Sequence, residues 1–202
     1  MVYTKRHLEE TALRLAITFP VLVIMGPRQS GKTTLARHCF PELPYVSLEN
    51  PNLRDYAKTD PVAFLKPFHS GAIFDEIQRV PELLSYLQEW ADEPNGGCRY
   101  VLTGSQQFNL IASITQSLAG RAAFLTLLPF SMQELPEPND IDNTIRRGFY
   151  PPVVSRGTAP EDFYPSYVQA YLERDVRQLI GLRDLSLFQR FLSLCAKELE
   201  IS

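Results

Sequence analysis

Residues 26–33 read Gly-Pro-Arg-Gln-Ser-Gly-Lys-Thr, a pattern whose residue types and spacing suit the wrapping of a phosphate chain. Gly26 and Gly31 accept backbone angles that other residues resist, so that successive N–H groups turn inward at the start of a helix, where an anion is favoured. Lys32 sets an ammonium against the β- and γ-phosphates. Thr33 offers a hydroxyl to magnesium, a hard cation that bridges the same two phosphates. The expected nucleotide-binding set is Gly26, Pro27, Arg28, Gln29, Ser30, Gly31, Lys32, Thr33 and Thr34. A chance turn with two glycines does not require the Lys-Thr pair that follows directly.

A second group of chemical residues closes the run Gly-Ala-Ile-Phe-Asp-Glu at 71–76, an apolar stretch ending in two carboxylates. Open α/β sheets present their ligand sites at the C-terminal ends of strands. Asp75 is expected to hold magnesium, directly or through water. Glu76 is expected to polarise an attacking water, the feature that separates hydrolysis from transfer to a substrate hydroxyl. An isolated Asp-Glu pair reads equally well as a solvated turn; the apolar run before it and the phosphate loop upstream favour the catalytic alternative.

Residues 100–106, Tyr-Val-Leu-Thr-Gly-Ser-Gln, form a further apolar run with a polar end. Either Thr103 or Ser105 is placed to sense the γ-phosphate or the water, or each simply caps its strand or the following helix. Arg121 follows Gly120 at the start of the last strand, at an edge of the sheet away from the chain's own phosphates. It is either a surface arginine or a finger that reaches a neighbouring subunit's site and stabilises transition-state charge. Arg146, Arg147 and Arg174 are explained as well by solvated helix faces as by nucleotide contact. His7, His38 and His69 share no spacing with other ligand-type residues.

The elements that must position these groups alternate. Strands are expected at 21–25, 45–48, 72–74, 100–103 and 122–128, mostly continuous apolar runs as for strands buried on both faces. Helices with apolar residues three or four apart are expected at 32–40, 81–92 and 108–118, with a turn at Pro-Asn-Gly-Gly, 94–97. This rhythm implies the α/β class, a parallel five-stranded sheet with helices on both faces. The prolines and acids of 134–142 mark a boundary near 135, dividing the chain into 1–135 and 136–202. Two amphipathic helices are expected from 160 onward, the second carrying Leu185, Phe188, Leu192, Cys195 and Leu199 on one face.

The chain has 202 residues, 45% of them apolar, enough for one sizeable core. Cys39, Cys98 and Cys195 are odd in number and in no metal-ligand pattern, which suits a reducing, cytoplasmic setting. The first ten residues carry alternating charges, and no later apolar run reaches the length of a membrane span. A net charge of -3 leaves nucleic acid unsupported as a partner.

With these motifs in hand, the chain resembles the AAA-type ATP-binding proteins of bacteria and archaea that join an N-terminal ATPase domain to an uncharacterised DUF-class domain. The resemblance covers nearly the whole chain and rests on 26–35, Phe-Asp-Glu-Ile-Gln at 74–78, Leu-Thr-Gly-Ser at 102–105, Leu-Ala-Gly-Arg at 118–121, Leu-Pro-Phe-Ser at 128–131 and Tyr-Leu-Glu-Arg-Asp at 171–175. It implies an AAA-like P-loop NTPase fold, ATP and Mg2+ bound by Lys32 and Thr33, a Walker-B pair in Asp75 and Glu76, a first sensor in Thr103 or Ser105, and Arg121 as the finger. Adenine preference rests on the resemblance, since no segment declares it; the Asn-Lys-x-Asp signature of guanine readers is not seen. Family members continue past residue 202 with further helices and a winged-helix-like segment, which implies a shortened chain. The leading functional expectation is an ATPase that couples hydrolysis to a conformational change or assembly. Its rivals are a nucleotide-dependent switch or scaffold that hydrolyses little, and a small-molecule phosphotransferase. Expected partners are ATP, a second copy of the chain that receives Arg121 in trans, and an unidentified protein.

Overall fold

A computed structural model describes residues 3–92, 99–105, 114, 116–135, 140–171 and 185–199. It divides into two compact units, 1–156 and 157–202. The first holds the sheet. Its strands are β1 (Val21–Gly26), β2 (Tyr45–Ser47), β3 (Ala72–Asp75), β4 (Tyr100–Ser105) and β5 (Ala122–Thr126). All pairings are parallel, in the order β2-β3-β4-β1-β5.

Why β1 must be apolar throughout is visible in where its side chains go. Val21, Val23 and Met25 enter one core, Leu22 and Ile24 the core on the other face. Each buried side chain of this size contributes about 1.5–3 kcal/mol of transfer free energy, so no position on the strand tolerates a polar replacement. Helices α1 (Leu8–Thr18) and α2 (Lys32–Cys39) cover the Leu22 face through Ala12, Leu35 and Ala36. Helices α3 (Pro51–Thr59), α4 (Pro61–Leu65) and α5 (Leu83–Ala91) cover the other with Ala57, Phe64, Leu65, Leu83, Leu84 and Leu87. The result is the three-layer α/β arrangement that the alternation of elements predicts.

Two differences from the sequence reading have physical causes. The strand expected over 122–128 is shorter, β5 ending at Thr126, and it is an edge strand with buried and exposed residues alternating, Phe124 being 41% exposed. Among the described residues no strand pairs with its outer side, so alternation suffices. Helices α1, α3 and α4 are additional to those expected, and α3 and α4 start on Asn50-Pro51 and Asp60-Pro61, where the acidic or amide side chain caps the helix. The expected helix 108–118 and the turn 94–97 lie mostly outside the described residues.

Beyond β5 the first unit continues through a short turn of 3-10 helix, Met132–Glu134, and helices α6 (Ile141–Arg147) and α7 (Pro151–Arg156). The second unit contains α8 (Pro160–Tyr171) and α9 (Leu185–Leu199), the two helices expected there. On α9, Phe188 and Leu192 are half-buried, whereas Leu187, Phe191, Leu194 and Cys195 are exposed. Among the described residues no helix is long and apolar enough to cross a membrane.

Candidate functional site

Parallel pairing brings the C-terminal ends of four strands to one edge. Gly26 of β1 pairs with Ser105 of β4, and Asp75 of β3 with Ser47 of β2. The phosphate loop leaves β1 at that edge and runs into α2. Gly26 has φ +150, and a Cβ there would lie 2.1 Å from the Leu127 carbonyl oxygen. The chain just after β5 thus passes too close for any side chain. We expect Gly26→Ala to lower the melting temperature, with about 1–3 kcal/mol lost to overpacking alone, and to abolish nucleotide binding; unchanged melting and ADP affinity would contradict this account.

Gly31 is required by its φ of +97, the left-handed conformation that starts α2. No side chain caps α2, and its first turn carries no acid, in contrast to the capped α3 and α4. With a glycine at its cap and no acid in its first turn, the start of α2 has the character that an anion site at a helix N-terminus requires. Lys32 Nζ spans the loop, donating to the carbonyls of Gly26 at 3.1 Å and Pro27 at 2.8 Å. Ser30 Oγ is buried with no hydrogen-bond partner, a polar atom that a phosphate oxygen or water would satisfy. Pro27 and Arg28 are half-buried, and Gln29 and Thr34 are exposed on the loop and the first turn of α2.

Thr33 and Asp75 meet. Thr33 Oγ1 donates to Asp75 Oδ1 at 2.9 Å, Thr103 Oγ1 donates to the same oxygen, and the Tyr45 hydroxyl donates to Oδ2 at 2.8 Å. A hydroxyl and a carboxylate oxygen at that separation are the hard donors that magnesium selects, so the residues present fit the ion. Burial, with the hydrogen bond to Asp75, pushes the Tyr45 hydroxyl up to about 12. It stays protonated and keeps donating.

Glu76 stands next to this point in a left-handed conformation, φ 61 and ψ 46. Among the described residues only Glu76 and Gln29 combine a side chain with positive φ. Such backbone is rare and costs about 1–3 kcal/mol per residue, and both instances fall at the same edge of the sheet. Burial pushes the Glu76 carboxyl above the usual glutamate range, as does the charge of Asp75, against the opposing pull of Lys32 and Arg28. The side-chain amide of Gln78 donates both to Glu76 Oε2 and, at 3.1 Å, to Ser105 Oγ.

Lys32, Thr33, Asp75, Glu76, Thr103 and Ser105 are thus gathered at one edge. Arg121 is not with them. It precedes β5, its carbonyl accepts from Val21 N at 3.2 Å, and it sits at the opposite end of β1, roughly 17 Å away at the rise of a strand. Its guanidinium grips Asp92 with two nitrogens, the Nη2 contact being 2.7 Å. Tyr45 and Gln78 were not singled out from sequence, although Gln78 falls within the Phe-Asp-Glu-Ile-Gln run.

Over residues 18–136 the sequence matches the family described as an AAA domain, and over residues 138–200 a domain of unknown function, DUF8612. Two uncharacterised proteins, from Mycobacterium bovis and Mycobacterium tuberculosis, are each 30% identical to the chain over 166 residues, 81% of this chain and 37% of theirs. The chain therefore spans little more than a third of the length of these curated relatives. A Walker-type ATPase of Pyrococcus abyssi shares the fold with a TM-score of 0.54 at 15% identity, over 91% of this chain and 77% of that one. With the loop, the acidic strand end and the strand order all in place, and with the match extending over more than half of its residues, this chain belongs to the AAA domain family and has the fold of a P-loop NTPase.

Proposed function

We propose that the chain binds ATP with Mg2+ at the edge described above and hydrolyses it, coupling the reaction to a conformational change or to assembly. The observation that carries this reading is the 2.9 Å contact between Thr33 Oγ1 and Asp75 Oδ1, which joins the phosphate loop to the acidic strand end. The amides of Gly31 to Thr34 and the Lys32 ammonium hold the phosphates. Thr33 and Asp75 would hold the magnesium, which would supply neutralisation of phosphate charge. Thr103 and Tyr45 orient the Asp75 carboxylate. Glu76 takes the proton of the attacking water. With the Thr103 hydroxyl committed to Asp75, Ser105 is the better candidate for sensing the γ-phosphate, and Gln78 links it to Glu76.

The hold of Gln78 on Glu76 also favours a second reading, a nucleotide-dependent switch that turns over slowly until its tail or a partner releases the carboxylate. Arg121 acts in trans in either case, leaving Asp92 to reach the site of a neighbouring copy. An unidentified protein partner and the work performed belong to the same proposal. So does a reducing, cytoplasmic setting, which suits the free thiols of Cys39 and Cys195.

The test measures MgATP affinity and steady-state phosphate release side by side, over a range of protein concentrations and pH. The hydrolase predicts release at a rate per chain that rises with concentration. As pH falls, release is lost through the Glu76 ionisation, and because that carboxyl is raised, the acid limb lies above the usual glutamate range. Tight binding without release selects the switch. Absence of binding ends both readings.

A further inference from the structure

Arg6 lies outside every motif named above, yet it is 5% exposed and every part of its guanidinium is engaged. Nη1 donates to the Ser30 carbonyl at 2.9 Å. Nη2 donates to the carbonyls of Leu128 at 2.6 Å and Pro129 at 3.3 Å. Nε donates to Glu134 Oε1 at 3.1 Å, and the guanidinium carbon lies 4.5 Å from the centre of the Phe130 ring. Glu134 is fixed in turn by the N–H groups of His7 at 2.7 Å and Ser131 at 2.8 Å. Side chains of the pair are 5% and 6% exposed. An ion pair so far from water costs desolvation that dense hydrogen bonding only offsets, and apolar residues often fill such a place at no loss. Stability alone therefore does not account for an arginine here.

Its position relative to the loop does. The peptide bonds are trans, so the carbonyl of Ser30 and the N–H of Gly31 point in opposite directions. Because the carbonyl is turned toward Arg6, the Gly31 N–H is turned away from it. A Cβ on Gly31 would lie 3.7 Å from Arg6 Nη1, which places the guanidinium beside the last turn of the loop. The other end of the loop is confined by the same stretch of chain, since Gly26 abuts the Leu127 carbonyl and Leu127 N donates to Met25 O at 2.7 Å. Residues 127–134 thus brace the loop at both ends, directly at Gly26 and through Arg6 at Ser30.

We propose that Arg6 is a positioning residue for phosphate binding, which holds the Ser30 carbonyl outward and so presents the Gly31 N–H and the first amides of α2 to the β-phosphate. The proposal rests on the nucleotide-binding reading above and adds to it a residue that touches no phosphate. Glu134 serves to anchor the guanidinium, while the three carbonyls on Nη1 and Nη2 fix its direction.

The experiment compares ADP affinity and melting temperature for the intact chain, Arg6→Met, Glu134→Gln and the double substitution, with binding measured well below each melting temperature. Arg6→Met and the double variant are expected to weaken ADP on the order of tenfold, the loss of one charge-assisted hydrogen bond. Glu134→Gln is expected to melt lower but to hold ADP within about threefold, because the contact to Ser30 remains. Should Arg6→Met fail to fold with Glu134 left as a buried unpaired charge, the double variant removes both charges and decides. A purely structural arginine would lower melting temperatures and leave ADP affinity of the folded protein intact; that result in the double variant overturns the proposal. If the intact chain itself does not take up ADP, the nucleotide-binding reading fails and this one with it.

Discussion

Glu76→Gln is expected to bind ATP and magnesium as tightly as the intact chain and to release phosphate at least about a hundredfold more slowly, the usual loss on removing a positioned general base. The glutamine has the shape of the residue it replaces and its amide oxygen still accepts from Gln78, so the left-handed turn at Glu76 and the link to Ser105 survive. What disappears is the capacity to take a proton. Burial and the neighbouring Asp75 charge raise the Glu76 carboxyl, which makes its carboxylate a stronger base at neutral pH than an exposed glutamate. The measurement is a single turnover with protein in excess over ATP, so that assembly and product release do not limit the signal, together with an ATP titration of both proteins. Release from the variant at the rate of the intact chain would remove Glu76 from the chemistry and leave Asp75 with the water.

The parts of this arrangement that the sequence shows are those in which residue type alone answers a physical requirement. A strand buried on both faces must be apolar at every position, as at 21–25 and 100–102, and the phosphate turn needs glycine where φ reaches +97 at Gly31 and where a Cβ would strike Leu127 at Gly26. Helices α3 and α4 carry ordinary start signals in Asn50-Pro51 and Asp60-Pro61. Helix α1 offers less: His7 gives no side-chain cap at its start.

Other features depend on what comes together only after folding. Tyr45 reaches Asp75 because β2 and β3 are adjacent and in parallel register, Tyr45 opposite Ile73, two residues short of the acid. Gln78 returns to Glu76 because a non-glycine residue adopts a left-handed backbone, which no residue type announces. Arg6 is separated by 24 residues from Ser30 and by 128 from Glu134. A lone arginine in a segment of alternating charge gives no sign of being buried, and only folding brings together the loop carbonyl of Ser30 and the carbonyls of Leu128 and Pro129 that it binds.

Lys32→Ala carries the other large effect, on binding instead of turnover. In the folded chain Lys32 is buried in the loop and its ammonium bridges the carbonyls of Gly26 and Pro27, so its backbone neighbours are drawn around the place where phosphate charge is received. Alanine removes a positive charge from the phosphates and two hydrogen bonds from the loop at once. A charge-assisted bond from the ammonium to a phosphate oxygen is worth about 1.5–3 kcal/mol, and with contacts to both the β- and γ-phosphates its loss translates into an ATP affinity lower by on the order of a hundredfold or more. The sheet is expected to keep its melting temperature within a few degrees, because Leu35 and Ala36 still hold α2 in the core. A titration with ATP and with ADP, alongside thermal melting, checks this. The loss should be greater for ATP, whose γ-phosphate also meets the ammonium; equal affinities for the intact and substituted chains would mean that nucleotide is held elsewhere on the molecule.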